Sequence, residues 1–394
     1  MRKVLKLFGF ALAITLAAAV IAGIVFQDRL TRLMAVNTLF AEDKIVSNFS
    51  SMDDLFFHAH LSRGDRPVSS LPAGTPVTLP DGYDTWLTDR AVTAVVMLKD
   101  GKVVHEAYHL GTEATDTRIS WSVAKSYLST LFGIAMEKGE ISSLDDPVTQ
   151  YSPALAGTAY DGATIRNVLN MASGVVFDED YLDFWSDINK MGRVLALGGS
   201  MDRFAAGLDD TFAPAGETWK YTSIDTHVLG MVLRGATGRS VPDLLQERVI
   251  APLGLEAAGS YLTDGNGVAF VLGGLNFTTR DYARFGQMVL QGGAWQGTQI
   301  VSGDWLTEAT RASAPTQPGG ERYGYQWWIA PDEDITDPEH AFYGRGVYGQ
   351  YLYIDPKRDV VIAVNGADRK FREPGVNDSN IAMFRSMAAA TDGT

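Results

Sequence analysis

A serine and a lysine three residues apart, Ser122 and Lys125, form a pair that could cleave an acyl bond. On a helix, residues three apart are neighbours, about 5–6 Å between Cβ atoms. A serine hydroxyl is a poor nucleophile until a neighbouring group takes its proton, and an adjacent amine can do so. The alternative is a capping serine beside a surface lysine. The pair alone leaves both interpretations open.

A tyrosine and a serine in the segment "GETWKYTSIDTHVLG", Tyr221 and Ser223, offer a second set of hydroxyl groups where a loop enters an apolar helix. A phenol has a reference pKa near 10. A neighbouring ammonium favours the phenolate, so a tyrosine beside Lys125 would become a usable base. A packing role is the alternative for a lone tyrosine.

Three glycines, at positions 344, 346 and 349, interrupt the strand-like segment "YGRGVYGQYLYIDP". Glycine within a strand often marks the close approach of a ligand or of another backbone, although a bulge or tight bend gives the same pattern. A strand edge beside Ser122 could supply an N–H group to a developing oxyanion.

The segment "VHEAYH" contains His105, Glu106 and His109 in the H-E-x-x-H spacing of zinc proteases. That motif binds zinc only on a helix, where the two imidazoles share a face. Here the flanking β-branched runs are joined by Asp100-Gly101, which predicts a β-hairpin. In a strand the two histidines are about 13 Å apart, at roughly 3.3 Å per residue. We therefore expect no metal site here, and no cofactor.

The predicted strands and helices that position these residues are distributed unevenly along the chain. Short strands are predicted near 92–110, a helix over "SWSVAKSYLSTLFGIAMEKGEI" that ends at Gly139, short helices over 141–270, and further strands toward the end. Strands at both ends of a helical middle indicate one α/β (α+β) domain: an antiparallel sheet flanked by helices, with a mostly helical inserted subdomain at about 141–270. We place this domain at 76–394, after a connector at 31–75.

Composition and the N-terminus restrict the partners. The 394 residues include no cysteine and carry a net charge of −14, which excludes thiol chemistry and disfavours nucleic acid. Arg2, Lys3 and Lys6 precede Leu7–Phe26, an apolar run long enough to cross a bilayer. We expect residues 1–30 to contain an inner-membrane anchor, with a cleaved signal peptide as the alternative, and the body of the protein in the periplasm.

The order S-x-x-K, Y-x-S and a glycine-flanked strand resembles the serine β-lactamase and penicillin-binding superfamily, in particular its class C-like branch. The resemblance covers about residues 75–394 and includes the segments "GEISSLDDPVTQYSPAL" and "NFTTRDYARFGQMVLQGGAWQG". The sequence "DEDY" after "MASG" and the serine of Y-x-S are most similar to the branch of 6-aminohexanoate-dimer hydrolases and related esterases.

The resemblance implies that Ser122 attacks the carbonyl of a small amide or ester and that Tyr221, aided by Lys125, moves the proton. It also implies an oxyanion site at the backbone N–H groups of Ser122 and Val347. Substrate contacts are implied at Tyr181, Ser223, Arg345 and Gly346.

One departure separates this sequence from β-lactamases. It has Gly344-Arg345-Gly346 where they have Lys-Thr-Gly, so the lysine that meets a β-lactam carboxylate is missing. Arg345 would replace its charge only if the side chain points into the site. A β-lactamase or D-Ala-D-Ala peptidase therefore remains an alternative, and a catalytically inactive membrane-anchored binding or sensor module is another.

Overall fold

The computed structural model describes residues 6–10, 12, 14–16, 26–331, 334–337 and 339–393. Its strands are β1 (His58–Leu61), β2 (Val92–Lys99), β3 (Lys102–Tyr108), β4 (Arg118–Ile119), β5 (Gly259–Leu262), β6 (Leu275–Phe277), β7 (Ala294–Trp295), β8 (Thr298–Gln299), β9 (Arg322–Tyr323), β10 (Trp328–Ile329), β11 (Phe342–Gly346), β12 (Gln350–Asp355) and β13 (Val360–Gly366).

The α-helices that follow from residue 26 onward are α1 (Gln27–Thr38), α2 (Ile45–Asn48), α3 (Met52–Leu55), α4 (Tyr83–Asp89), α5 (Ala124–Glu137), α6 (Val148–Tyr151), α7 (Ile165–Leu169), α8 (Asp187–Ala196), α9 (Met201–Ala205), α10 (Ser223–Thr237), α11 (Val241–Leu245), α12 (Ala251–Leu253), α13 (Thr279–Leu290), α14 (Gly303–Ala309) and α15 (Val376–Ala389).

Seven antiparallel strands form the main sheet, in the order β3-β2-β13-β12-β11-β10-β9. Successive side chains of a strand point to opposite faces, and both faces of β2 are buried. Val96 and Leu98 share one core with residues of α5 and α13, whereas Val95 and Met97 share the other with residues of α4 and α15. The expected antiparallel sheet flanked by helices is confirmed.

The hairpin predicted at Asp100-Gly101 joins β2 to β3. Asp100 has φ 50° and Gly101 has φ 71°, the left-handed pair that a tight two-residue hairpin turn requires. The helix predicted to end at Gly139 is α5, and Gly139 has φ 69° just beyond it. Both local predictions were correct because they depend on neighbouring residues alone.

Residues 141–270, all of which the structure describes, contain helices α6–α12 and a single strand, β5. This is the mostly helical insertion expected from the sequence. Strand β5 belongs to a second sheet, of order β1-β5-β6-β4, so the end of the insertion is tied to the rest of the fold by backbone hydrogen bonds.

The segment 31–75, which we expected to be a connector, is instead folded against the domain. It contributes part of α1, helices α2 and α3, and strand β1, which pairs with β5. Phe49 and Leu61 are fully buried, because apolar residues spaced through this segment join the core of the domain. Most of the apolar run Leu7–Phe26 lies outside the described residues, and no helix in the described part of the chain is long and apolar enough to cross a membrane.

Candidate active site

Ser122 and Lys125 meet where a 3₁₀ turn, Trp121–Val123, leads into α5. The Lys125 Nζ lies 2.9 Å from the Ser122 Oγ. The same Nζ donates to the Ser223 Oγ and to the Leu272 carbonyl oxygen, each at 3.1 Å. Lys125 is only 1% exposed, so this amine is held by three oxygens in a site without bulk water.

Burial lowers the pKa of Lys125 to about 7, because the charged ammonium is poorly solvated there. Two carboxylates, Glu179 and Asp225, oppose this effect by favouring the charged form. Asp225 is itself fully buried, accepts a hydrogen bond from the Tyr160 hydroxyl at 2.8 Å, and has a pKa raised by burial to about 7. Near neutral pH, therefore, Lys125 has an accessible neutral form that can accept a proton.

Tyr221 lies against both the amine and the nucleophile. Its ring centre is 5.0 Å from the Lys125 Nζ, and the ring stacks on Trp328 with centroids 5.1 Å apart. Burial raises the pKa of Tyr221, although hydrogen bonding to the Ser122 and Ser223 hydroxyls and the charge of Arg345 pull it down. We expected Lys125 to lower this pKa; the structure gives the opposite direction, because burial disfavours the phenolate.

Ser223 and Tyr181 complete the polar surroundings of the nucleophile. The Tyr181 hydroxyl lies 3.5 Å from the Ser223 Oγ. The Ser223 backbone N–H, at the start of α10, donates to the Glu179 carboxylate. Tyr181 and Ser223, both predicted from the sequence, are thus in contact, and Ser223 also contacts Lys125.

The glycines of β11 let this strand lie directly on the turn that carries Ser122. A Cβ at Gly346 would lie 2.5 Å from the Ser120 carbonyl oxygen, a distance that real Cβ atoms do not show. Glycine is therefore required at Gly346 for close backbone approach, as the sequence predicted. Val347 follows β11 and lines the same space as Ser122.

A cluster of four aromatic rings supports both sides of this junction. Trp121 precedes Ser122 with φ 42°, and Tyr348 follows Val347 with φ 60°. Such left-handed backbones cost energy in residues other than glycine and persist only where the surroundings hold them. Phe40 stacks on Tyr348 at 4.5 Å and lies 5.8 Å from Trp121, while Phe49 lies within 6 Å of both. We call Phe40, Phe49, Trp121 and Tyr348 the aromatic cluster.

Arg345 points into the site, which the sequence alone left open. It lines a cavity together with Ser122 and Tyr221. Its guanidinium lies 3.8 Å from the centre of the Trp328 ring, and its Nη1 donates to the Glu321 carboxylate at 2.9 Å. The charge of Arg345 is therefore already paired.

Two cavities meet at Ser122, and Ser122, Tyr181 and Val347 line both. The first, of about 300 Å³, we call the apolar cavity; its walls include Phe40, Phe56, Leu182, Ile188, Met191 and Leu195. The second, of about 310 Å³, we call the polar cavity; its walls include Glu179, Tyr221, Glu321, Arg345, Arg372 and Asn377. Each is of the size at which small-molecule pockets begin, roughly 300 Å³.

A profile of the beta-lactamase family matches residues 87–378. The chain belongs to the beta-lactamase family. It is therefore a serine hydrolase of that superfamily, and the resemblance drawn from its motifs is confirmed.

One relative and one solved structure are similar to the chain over most of its length. It is 30% identical over 334 residues to a 6-aminohexanoate-dimer hydrolase of Paenarthrobacter ureafaciens, covering 80% of this chain and 83% of that protein. A solved structure, a provisional 6-aminohexanoate-dimer hydrolase from Bacillus anthracis, superposes with a TM-score of 0.80 at 22% identity, covering 90% of this chain and 96% of the other.

A more distant structure shares the beta-lactamase-like fold. A D-stereospecific amidohydrolase from Streptomyces sp. superposes with a TM-score of 0.56 at 20% identity, covering 73% of this chain and 94% of that one. At this identity the likeness concerns the fold.

The H-E-x-x-H motif of this beta-lactamase-family chain lies on the predicted strand, away from Ser122. His105 is in β3, and its Nε2 is 2.7 Å from the Tyr83 hydroxyl. Glu106 binds Arg280 through two hydrogen bonds of 2.7 Å. His109 follows the strand. His105 and Glu106 are thus used in structural contacts with other parts of the fold, whereas the buried His109 Nε2 has no hydrogen-bond partner among the described residues.

Sequence reasoning missed four residues that surround the nucleophile in this beta-lactamase-family site: Glu179, Asp225, Glu321 and Trp328. Each acts through a partner distant in sequence, so spacing gives no signal for Glu321 or Trp328. For Asp225 the sequence did offer a signal. Asp225 lies two residues beyond Ser223 on an apolar helix, where a buried carboxylate needs a partner.

Proposed function

We propose that this enzyme hydrolyses a small amide or ester through an acyl-enzyme on Ser122. The observation that supports it most strongly is the 2.9 Å contact between Ser122 and a lysine whose pKa burial lowers to about 7. The relative named a 6-aminohexanoate-dimer hydrolase cleaves a linear amide by its name, which supports the same class of bond.

In the proposed acylation, neutral Lys125 takes the Ser122 proton as the Oγ attacks the substrate carbonyl. The backbone N–H groups of Ser122 and Val347 hold the oxyanion. Tyr221, whose raised pKa keeps it protonated, gives its proton to the leaving group as the bond to the carbonyl carbon breaks. Lys125 then returns a proton to Tyr221 through the hydroxyl of Ser223, which contacts both.

Deacylation follows the same route with water in place of serine. Water attacks the acyl carbon, Lys125 takes its proton, and the proton passes to the Ser122 Oγ as the ester bond breaks. The acid product leaves, and the amine is neutral again. Each cycle consumes one water and leaves Ser122, Lys125 and Tyr221 in their starting protonation states.

The proposed substrate contacts follow from the walls of the two cavities. Tyr181 borders both, so its hydroxyl and ring lie beside the scissile bond. Arg345 and Gly346 border the polar cavity, and Ser223 borders the apolar one. A membrane contact through residues 1–30, with the hydrolase on the periplasmic face, completes the proposal; its support is the basic start and the apolar run Leu7–Phe26.

A covalent probe separates this proposal from an inactive binding or sensor module. A fluorophosphonate mimics the tetrahedral intermediate and reacts only with an activated serine. We expect peptide mapping to find the label on Ser122, with labelling suppressed when pH falls well below 7 and Lys125 becomes charged. Absence of label, or label spread over several surface serines, would favour the binding module.

We also expect esters to be better substrates than β-lactams. A β-lactam needs its carboxylate neutralised beside the reacting carbonyl, and the pairing of Arg345 with Glu321 leaves that charge already satisfied. The measurement is kcat/KM for nitrocefin against p-nitrophenyl acetate and butyrate. If nitrocefin is preferred tenfold or more, and Arg345→Ala removes that preference, the β-lactamase alternative is correct.

The variant Glu321→Gln provides the matched test of that charge argument. It keeps the size of the side chain but releases Arg345 from its ion pair. Nitrocefin turnover should therefore increase relative to the uncharged esters. An unchanged ratio would show that the Arg345 charge has no part in choosing between these substrates.

A further inference from the structure

The two cavities assign opposite ends of the substrate to opposite sides of Ser122. Cleavage requires a proton on the leaving group, and in the proposed function Tyr221 supplies it. Tyr221 lines the polar cavity and is not part of the wall of the apolar cavity. The leaving group must therefore lie in the polar cavity. Since the carbonyl carbon sits at Ser122, the acyl group must extend into the apolar cavity.

The walls of the apolar cavity come from several parts of the chain, and most of the side chains that line it are apolar. Helix α1 and the residues after it contribute Phe40, helix α8 contributes Ile188 and Met191, and the loop before α8 contributes Leu182. A mostly apolar wall favours an aliphatic chain over a charged one, because a buried charge without a partner is strongly disfavoured.

Two polar side chains of α8 that reach this cavity make contacts with the loop before the helix. The Asn189 Nδ2 donates to the Tyr181 and Asp183 carbonyl oxygens, at 3.0 and 2.8 Å. The Arg193 Nη1 donates to the Phe184 carbonyl oxygen at 2.8 Å, and its guanidinium covers the Phe184 ring at 4.0 Å. These contacts hold the loop before α8 in place.

The mouth of the cavity extends its apolar surface outward. Leu182 is 73% exposed and Phe184 is 52% exposed, and both also line the cavity. An acyl chain longer than the cavity could therefore continue along these side chains. We propose, on the basis of the function above, that the natural substrate carries a medium- or long-chain fatty acyl group in the apolar cavity and a small polar alcohol or amine in the polar cavity.

A series of p-nitrophenyl esters tests this proposal with the full chain. The acetate, butyrate, hexanoate, octanoate and decanoate share one leaving group, so differences in kcat/KM report the acyl side. Burying a methylene is worth up to about fourfold in kcat/KM. We expect kcat/KM to rise with chain length until the cavity is filled and then to level off.

A substitution in α8 shows whether the cavity causes that rise. A Cβ added at Gly192 meets no other heavy atom within 4 Å, and Gly192 lines the cavity, so Gly192→Leu should occupy its space. The ratio of kcat/KM for the octanoate ester to kcat/KM for the acetate ester should fall at least tenfold. The control is Lys190→Leu, which adds the same side chain to the exposed side of the same helix and should leave the ratio unchanged.

The outcomes distinguish this inference from the proposed function. If the unaltered protein hydrolyses the acetate and octanoate esters with equal kcat/KM, the fatty-acyl inference is wrong, but the proposed hydrolase function still stands. If Gly192→Leu leaves the ratio unchanged although acetate turnover shows a folded enzyme, the acyl group lies elsewhere. If Ser122-dependent hydrolysis is absent for every ester, both are wrong. The comparison of acetate with octanoate needs only the unaltered protein, so the test does not depend on the folding of the variant.

Discussion

Replacing Ser122 with alanine should reduce ester hydrolysis by about 10⁴-fold or more, because no other group can form the acyl-enzyme. The fold should be unaffected, since Ser122 is only partly buried and the substitution removes one oxygen atom. Lys125 would keep its contacts with Ser223 and Leu272. The measurement is initial rate with p-nitrophenyl butyrate together with the thermal unfolding midpoint.

Ser129→Ala is the matched control for this experiment. Ser129 lies in the same helix, α5, is fully buried, and its hydroxyl has no hydrogen-bond partner within the described part of the chain. It should retain full activity. A Ser122→Ala variant that hydrolyses the ester within tenfold of the unaltered protein would refute the nucleophile assignment.

Lys125→Ala and Tyr221→Phe should each lower kcat by about 10²–10⁴-fold while changing KM far less, because both groups act in proton transfer. For Tyr221→Phe the control is Tyr127→Phe, which removes a buried hydroxyl that lacks a hydrogen-bond partner among the described residues. Losses confined to KM would instead indicate that Lys125 and Tyr221 only bind substrate.

The pH dependence of the activity tests the role of Lys125 a second time. Lys125 accepts a proton only when neutral, and burial lowers its pKa to about 7. Activity should therefore be low below this pH and should rise as pH increases through about 7. In Lys125→Ala that rise should disappear from the residual activity. A kcat/KM that is flat between pH 5 and 9 in the unaltered protein would contradict the role of Lys125 as the base.

Local patterns predicted much of this architecture. The hairpin at Asp100-Gly101, the end of α5 at Gly139 and the approach of the Ser122 and Lys125 side chains all depend on residues close in sequence. The close packing at Gly346 was one of the two interpretations that glycine within a strand allowed, the other being a bulge or tight bend.

Features that depend on burial or on distant partners could not be predicted in this way. The sequence suggested a lowered pKa for Tyr221, but the depth at which Tyr221 and Lys125 lie decides the direction, and depth is a property of the folded chain. The pairing of Arg345 with Glu321 joins residues 24 positions apart. The division into two cavities needed the positions of α1 and α8.

The aromatic cluster determines how far the chain can be shortened. Residues 76–394, the part first assigned to catalysis, contain the main sheet and Ser122, but they lack Phe40 and Phe49. Without these rings nothing from the N-terminal side holds the left-handed backbones beside Ser122 and Val347, and one wall of the apolar cavity is missing. The catalytic unit therefore includes the chain from the end of α1 onward, and a trimmed protein intended for work in solution must keep Phe40, Phe49 and the residues that follow them.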